Sequence, residues 1–141
     1  MKLLIVGIPG TGKTSIGNYL QAEKGYKHFD IESVLKKYGN DGMVKVNEFL
    51  ALPEEDKIIT WGFRVDADES LVRRIQGLGY RMIWLDGNRN SARREFLKRA
   101  DVPEELFELQ ISKIDNVDLE SYQPIRVNPF DQNGFFLPKE K

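Results

Sequence analysis

Residues Gly7-Ile8-Pro9-Gly10-Thr11-Gly12-Lys13-Thr14 satisfy every position of the pattern GxxxxGK[ST]. The apolar run Lys2-Leu3-Leu4-Ile5-Val6 precedes them, and the helix-like stretch Ser15 to Ala22 follows. A buried strand, a glycine-rich turn and a helix N-terminus, in that order, let backbone N–H groups converge on a phosphate, and the helix start adds partial positive charge. Lys13 is then placed to reach the β- and γ-phosphates, and the Thr14 hydroxyl to ligate Mg²⁺. The expected nucleotide-binding set is Gly7, Pro9, Gly10, Thr11, Gly12, Lys13, Thr14 and Ser15, with Thr14 as the metal ligand. A chance glycine-rich turn is the alternative, and the complete motif with correct flanks argues against it. The chain is expected to bind a nucleoside triphosphate.

At 141 residues the chain is expected to be a single domain able to bury one core without disulfides or structural metal. It contains no cysteine, which excludes disulfides and thiolate metal sites and fits a reducing cytoplasm. A formal net charge of -1 and a pI near 5.9 argue against a large nucleic-acid footprint. No apolar run reaches the roughly 20 residues of a membrane span. The N-terminal apolar stretch runs straight into the glycine-rich motif without a cleavage pattern, so it does not read as a signal peptide. The expected assembly is a monomer or homodimer in the cytoplasm, with no nucleic-acid or membrane partner.

Strand and helix signals alternate along the chain, which predicts an α/β fold with a parallel sheet and helices on both faces. Strands are expected at Lys2–Val6, Tyr26–Phe29, Lys57–Trp61, Tyr80–Leu85 and Pro124–Val127. Helices are expected from Lys13 to about Glu23, Ile31 to Tyr38 with Asp30 as cap, and Val46 to Leu52 after Gly39-Asn40-Asp41-Gly42 ends its predecessor. Others should run from about Asp66 to Gln76, Ser91 to Ala100, and Pro103 to about Ile114. Residues 128–141 read as a surface loop anchored by Phe130, Phe135 and Phe136. Strand C-termini in such a sheet share one edge, where ligands collect. The motif loop, Asp30, Gly62 and Asp86 all fall there.

The motif specifies a nucleotide rather than a reaction. A GTPase switch would need an Asn-Lys-x-Asp sequence, which is absent. A mechanical ATPase would need Asp-Glu after a hydrophobic strand, and Asp68-Glu69 follows none. A small-molecule kinase needs about this length, an acceptor site beside the loop, and arginines to cover the transferring phosphoryl group. From Met1 to about Asp115 the chain resembles the small P-loop kinases: nucleoside monophosphate, shikimate and gluconate kinases. The resemblance implies a three-layer P-loop NTPase fold with a five-stranded parallel sheet in 2-3-1-4-5 order. Ile59-Thr60-Trp61-Gly62-Phe63-Arg64 is similar to the Asp-Gly-Phe-Pro-Arg signature of nucleoside monophosphate kinases, with Trp61 in place of the aspartate and no proline before Arg64. Pro103 to Gln110 is similar to the Pro-x-x-Leu-x-x-x-Gln helix of gluconate kinases, without the Gly-His-Phe that precedes it there. Asp30-Ile31-Glu32 stands where shikimate and gluconate kinases carry an aspartate-containing acceptor motif.

Each candidate side chain has two readings. Asp30 either caps a helix or positions a metal-bound water and accepts a hydroxyl proton, and the roles are compatible. Glu32 is an acceptor-binding candidate or a first-turn acid that favours the helix dipole. Arg64 can grip an anionic acceptor group bidentately or pair with Asp66 or Asp68. Trp61 can stack on a planar acceptor or pack in the core. Arg89, Arg93, Arg94, Lys98 and Arg99 form the densest basic cluster. On a helix, Arg89 and Arg93 flank the apolar stripe of Ala92, Phe96 and Ala100, while Arg94 and Lys98 point away. Arg89 and Arg93 are thus the candidate lid arginines of a segment within residues 87–104, or else part of a solvated face. Asp86 ends an apolar strand as a metal-ligand candidate or a turn residue with Gly87. His28 reads as packed or exposed rather than catalytic. The expected activity is transfer of the γ-phosphoryl of ATP, with Mg²⁺, to a small acceptor such as a nucleoside monophosphate or a shikimate- or gluconate-like hydroxyl. Lys13, Asp30, Arg89 and Arg93 would be catalytic, and Asp30, Glu32 and Arg64 would bind the acceptor. The rival is a regulatory or partner-activated ATPase that phosphorylates nothing.

Overall fold

The computed structural model describes residues 1–8, 11–62, 69–86, 89–98 and 104–127. Five strands, β1 (Lys2–Gly7), β2 (Lys27–Asp30), β3 (Lys57–Thr60), β4 (Arg81–Leu85) and β5 (Ile125–Val127), form one sheet in the order β2-β3-β1-β4-β5. Every neighbouring pair is parallel. This is the expected three-layer P-loop topology. Consecutive parallel strands require crossovers, which the helices supply: α1 (Lys13–Lys24), α2 (Ile31–Tyr38), α3 (Gly42–Leu50), α4 (Glu69–Gly77), α5 (Arg89–Leu97) and α6 (Glu104–Asp115).

Strands covered on both faces read as continuous apolar runs. Leu4, Ile5 and Val6 of β1 and Trp84 and Leu85 of β4 are fully buried. The core divides at the sheet. Alternate β1 residues Leu3 and Ile5 join Ile16 and Leu20 of α1, while Leu4 and Val6 join Phe49, Val72, Phe96 and Phe107 of the other helices. Burying one such side chain stabilises by about 1.5–3 kcal/mol, against about 0–1 kcal/mol for an exposed ion pair, so this patterning decides the fold.

Of the element boundaries that differ from expectation, two have a clear physical reason. The second strand is shifted by one residue, so Asp30 both ends β2 and caps α2, its Oδ1 accepting from the Ser33 N–H at 3.5 Å. The third helix starts at Gly42 rather than Val46 because Gly39–Asp41 forms a 3₁₀ turn that runs into it. Gly42, read as a helix breaker, is a packing glycine, since a Cβ there would lie 2.8 Å from Leu35 Cδ2. That helix ends at Leu50, where the fully buried Lys57 Nζ donates to the carbonyls of Phe49, Leu50 and Leu52. A buried ammonium thereby finds acceptors at and just beyond the C-terminal end of the helix and ties α3 to the start of β3. Among the described residues no helix is long and apolar enough to cross a membrane. The expected C-terminal loop, 128–141, lies outside the described residues.

Candidate active site

Parallel order brings the C-terminal ends of β1, β2, β3 and β4 to one edge. Trp61 N–H donates to Ile5 O at 3.0 Å and Ile8 N–H to Leu85 O at 3.2 Å, so the residues leaving β3 and β1 continue the ladder outward. Gly7, the end of β1, opens the glycine-rich loop there. Pro9 and Gly10 lie outside the described residues. Beyond them, Thr11 is buried and its Oγ1 donates to Ile8 O at 2.9 Å, closing the loop on itself. Gly12 caps α1 in the left-handed region at φ 80, a conformation that resists any side chain. Ser15 is exposed in the first turn of α1, whose leading N–H groups have no partner within the helix. The Lys13 ammonium folds back over the loop onto Ile8 O at 3.0 Å and Gly7 O at 3.5 Å. A cation resting on weak neutral acceptors is readily exchanged for phosphate oxygens.

Across the loop, Thr14 Oγ1 donates to Asp30 Oδ2 at 2.9 Å. A hydroxyl and a carboxylate so placed make a hard-oxygen pair suited to Mg²⁺, which takes a few protein oxygens and keeps its waters and phosphate ligands. Among the described residues no group of three or more His, Cys, Asp or Glu is placed to hold a metal. Glu32 stands beside Asp30, its carboxylate lying over Gly62 where a side chain at position 62 would begin. The close approach that a glycine at position 62 permits is thus made by a residue of the chain itself. Trp61 is buried in the core, so it packs rather than offering a stacking face. Arg64 lies outside the described residues, as do residues 87–88 and 99–103 of the expected lid.

The two candidate lid arginines are held by acids. Arg89 places Nη1 and Nη2 on Asp115 at 3.0 and 2.9 Å, and Nη2 and Nε on Asp86 at 3.2 and 3.4 Å. Its hydrogen bonds to Asp115 and then Asp86 push the guanidinium pKa further up, and the same contact pulls the Asp115 carboxyl down. Asp86 therefore sits in a clamp that joins β4, α5 and the C-terminal end of α6, while its backbone N–H pairs with Val127 O. Arg93 is paired with Glu104 and Glu108 of α6. Arg94 and Lys98 are exposed, as their helix position predicts.

With Arg89 and Asp115 both partly solvated, the clamp should contribute about 1 kcal/mol. Arg89→Met is therefore expected to lower unfolding free energy by about that amount at neutral pH, measured by urea denaturation. The depressed Asp115 pKa sets the sign. Its contribution is complete above the ordinary carboxylate range and is lost as pH falls from that range through the lower folded-state value, so parent and variant should converge only in acid below that value.

A cavity of about 260 Å³ opens beside this clamp, lined by Asp86, Arg89, Asp115, Asp118, Glu120 and Arg126. A larger one of about 370 Å³, lined by Gln76, Tyr80, Arg81 and Tyr122 among others, lies by the opposite end of β4 and away from the loop. His28 is half-buried and hydrogen-bonded. Burial lowers its pKa, with Asp30 opposing. Sequence reasoning did not anticipate the buried Lys57 or the partners of His28. The glycine at position 17 was an available signal, since glycine inside a helix costs about 1 kcal/mol against alanine and calls for a packing reason.

No family model matches the chain, and no curated protein matches it in sequence. Solved structures do match its shape. A gluconokinase from Sinorhizobium meliloti 1021 superposes with TM-score 0.56 at 16% identity, covering 90% of this chain and 82% of that one. A shikimate kinase from Bacteroides thetaiotaomicron gives 0.55 at 15%, covering 91% and 85%, and one from Aquifex aeolicus vf5 gives 0.54 at 18% with the same coverage. At these identities the likeness establishes the architecture. The chain has the fold of the small P-loop kinases.

Proposed function

We propose that the chain is an ATP- and Mg²⁺-dependent phosphotransferase acting on a small hydroxyl-bearing acceptor. The observation that carries the reading is the 2.9 Å hydrogen bond between Thr14 and Asp30, which sets the metal-ligand hydroxyl of the loop against the first carboxylate of the β2 edge. The loop amides, Lys13 and the N-terminus of α1 hold the donor phosphates. Thr14 would hold Mg²⁺, which neutralises charge on the phosphates when bound. Asp30 orients the acceptor and takes its hydroxyl proton as the acceptor oxygen bonds to the γ-phosphorus. The bond from that phosphorus to the bridging oxygen breaks, and ADP leaves. Glu32 and Arg64 flank the acceptor, with Arg64 gripping an anionic group if the acceptor carries one. Arg89 and Arg93 exchange the carboxylates of Asp86 and α6 for phosphate oxygens as the segment around residues 87–104 closes. Positioning and charge neutralisation supply the rate enhancement. The neighbours' own acceptors, gluconate and shikimate, set the first compounds to test.

An ADP-release screen of nucleoside monophosphates, shikimate, gluconate and related polyols is expected to give low basal ATPase activity that one acceptor raises. Fast hydrolysis indifferent to every acceptor would count against the kinase, and nucleotide binding that no acceptor turns into stimulated turnover would favour the regulatory or partner-activated ATPase.

A further inference from the structure

Two ties between side chains join α1 to β2 one helical turn apart, and below them Gln21 Oε1 accepts from the His28 backbone N–H at 3.1 Å. Thr14 and Asn18 stand at i and i+4 on one face of α1, and Asp30 and His28 at alternate positions on one face of β2. The upper tie is the Thr14–Asp30 hydrogen bond. In the lower, the His28 imidazole sets Nδ1 3.1 Å from Asn18 Oδ1 and Nε2 2.8 Å from Thr60 Oγ1. The neutral tautomer satisfies both, with Nδ1–H donating to Asn18 and Nε2 accepting from the Thr60 hydroxyl. Thr60 is 1% exposed and pairs across the ladder with Asp30, so the imidazole bridges α1, β2 and β3 at once. Gly17 completes the fit, since a Cβ there would overlap Nε2, Cε1 and Cδ2 of the ring.

We infer that His28 is a positioning residue, which sets the separation of Thr14 from Asp30 by holding the phosphate-loop helix against the acceptor side of the sheet. The inference rests on the kinase reading and adds a residue that touches neither substrate. The upper tie lies where the metal–nucleotide binds, and ligands can rearrange it. The lower tie lies a helical turn below and keeps its length whatever occupies the loop. A loosened lower tie would leave the loop's own phosphate contacts intact and spoil the preformed pairing of hydroxyl and carboxylate. Its loss should therefore appear in the part of nucleotide affinity that depends on Mg²⁺.

The test measures ADP affinity by calorimetry with excess EDTA and with excess Mg²⁺, in the parent and in His28→Phe, His28→Gln and Gly17→Ala. His28→Phe keeps ring volume and loses both hydrogen bonds, His28→Gln retains a partner for Thr60, and Gly17→Ala drives a methyl into the imidazole's place. In EDTA all are expected to bind ADP within about twofold of the parent. The Mg²⁺-dependent tightening should fall roughly tenfold in His28→Phe and Gly17→Ala and be largely restored in His28→Gln, on the scale of one lost hydrogen bond to a charged site. Gly17→Ala keeps the histidine and reads the same effect if His28→Phe fails to fold. Unchanged Mg²⁺ dependence in the variants overturns the inference, as does an equal loss with and without Mg²⁺. A parent that binds no ADP removes the kinase reading itself, which is a separate outcome.

Discussion

Lys13→Ala is expected to abolish detectable Mg²⁺–nucleotide turnover and weaken nucleotide binding roughly 10- to 100-fold, while leaving the fold intact. The affinity loss follows from removing an ammonium that reaches the terminal phosphates, where a hydrogen bond between charged groups contributes about 1.5–3 kcal/mol. The fold should survive because Lys13 is only partly buried and its ammonium rests on the loop carbonyls of Gly7 and Ile8. Gly12 in its left-handed conformation and the Thr11 bond to Ile8 O hold the loop without it. Calorimetry with Mg²⁺–ADP reads the affinity, and thermal denaturation without nucleotide reads the fold. A variant that binds as the parent does would remove the premise of the site, because no second loop in this chain carries the same pattern.

The elements that sequence revealed best are those in which local chemistry and burial agree. The apolar run of β1, the glycine-rich turn and the start of α1 each point to one structure, and β4 is as apolar as a doubly covered strand must be. The errors arose where a residue serves the tertiary fold. Gly42 looks like punctuation and is a contact, and no local rule separates the two, because the deciding atom belongs to Leu35. Lys57 looks like the polar start of a strand and is fully buried, for the carbonyls it satisfies come from another helix. Arg89 followed its helix position in facing inward, yet its partners are Asp86 and Asp115, the latter 26 residues away. The phosphate half of the site is local in sequence and therefore legible. The proposed acceptor half would be assembled from β2, α2 and β3, and the contact at its centre appears only when Glu32 is seen over Gly62.

Asp30→Asn separates the two roles that sequence left open for this residue. Asparagine caps helices as well as aspartate does, so α2 should lose little, a change under about 0.5 kcal/mol against about 1 kcal/mol for Asp30→Ala. The amide oxygen can still accept from Ser33 N–H, and the amide nitrogen, standing in place of Oδ2, can donate to the Thr14 hydroxyl, so the geometry of the β2 edge is preserved. Only the charge is lost, and with it the capacity to take a proton. General-base and charge contributions of this kind are worth roughly 10²–10⁴-fold, so acceptor-stimulated turnover should fall by at least 100-fold while the melting temperature stays near that of the parent. Mg²⁺–ADP affinity supplies the control: the loop and Lys13 are untouched, so binding should weaken far less than turnover. A variant with normal turnover would make Asp30 a helix cap alone and leave Glu32 as the remaining carboxylate at that edge.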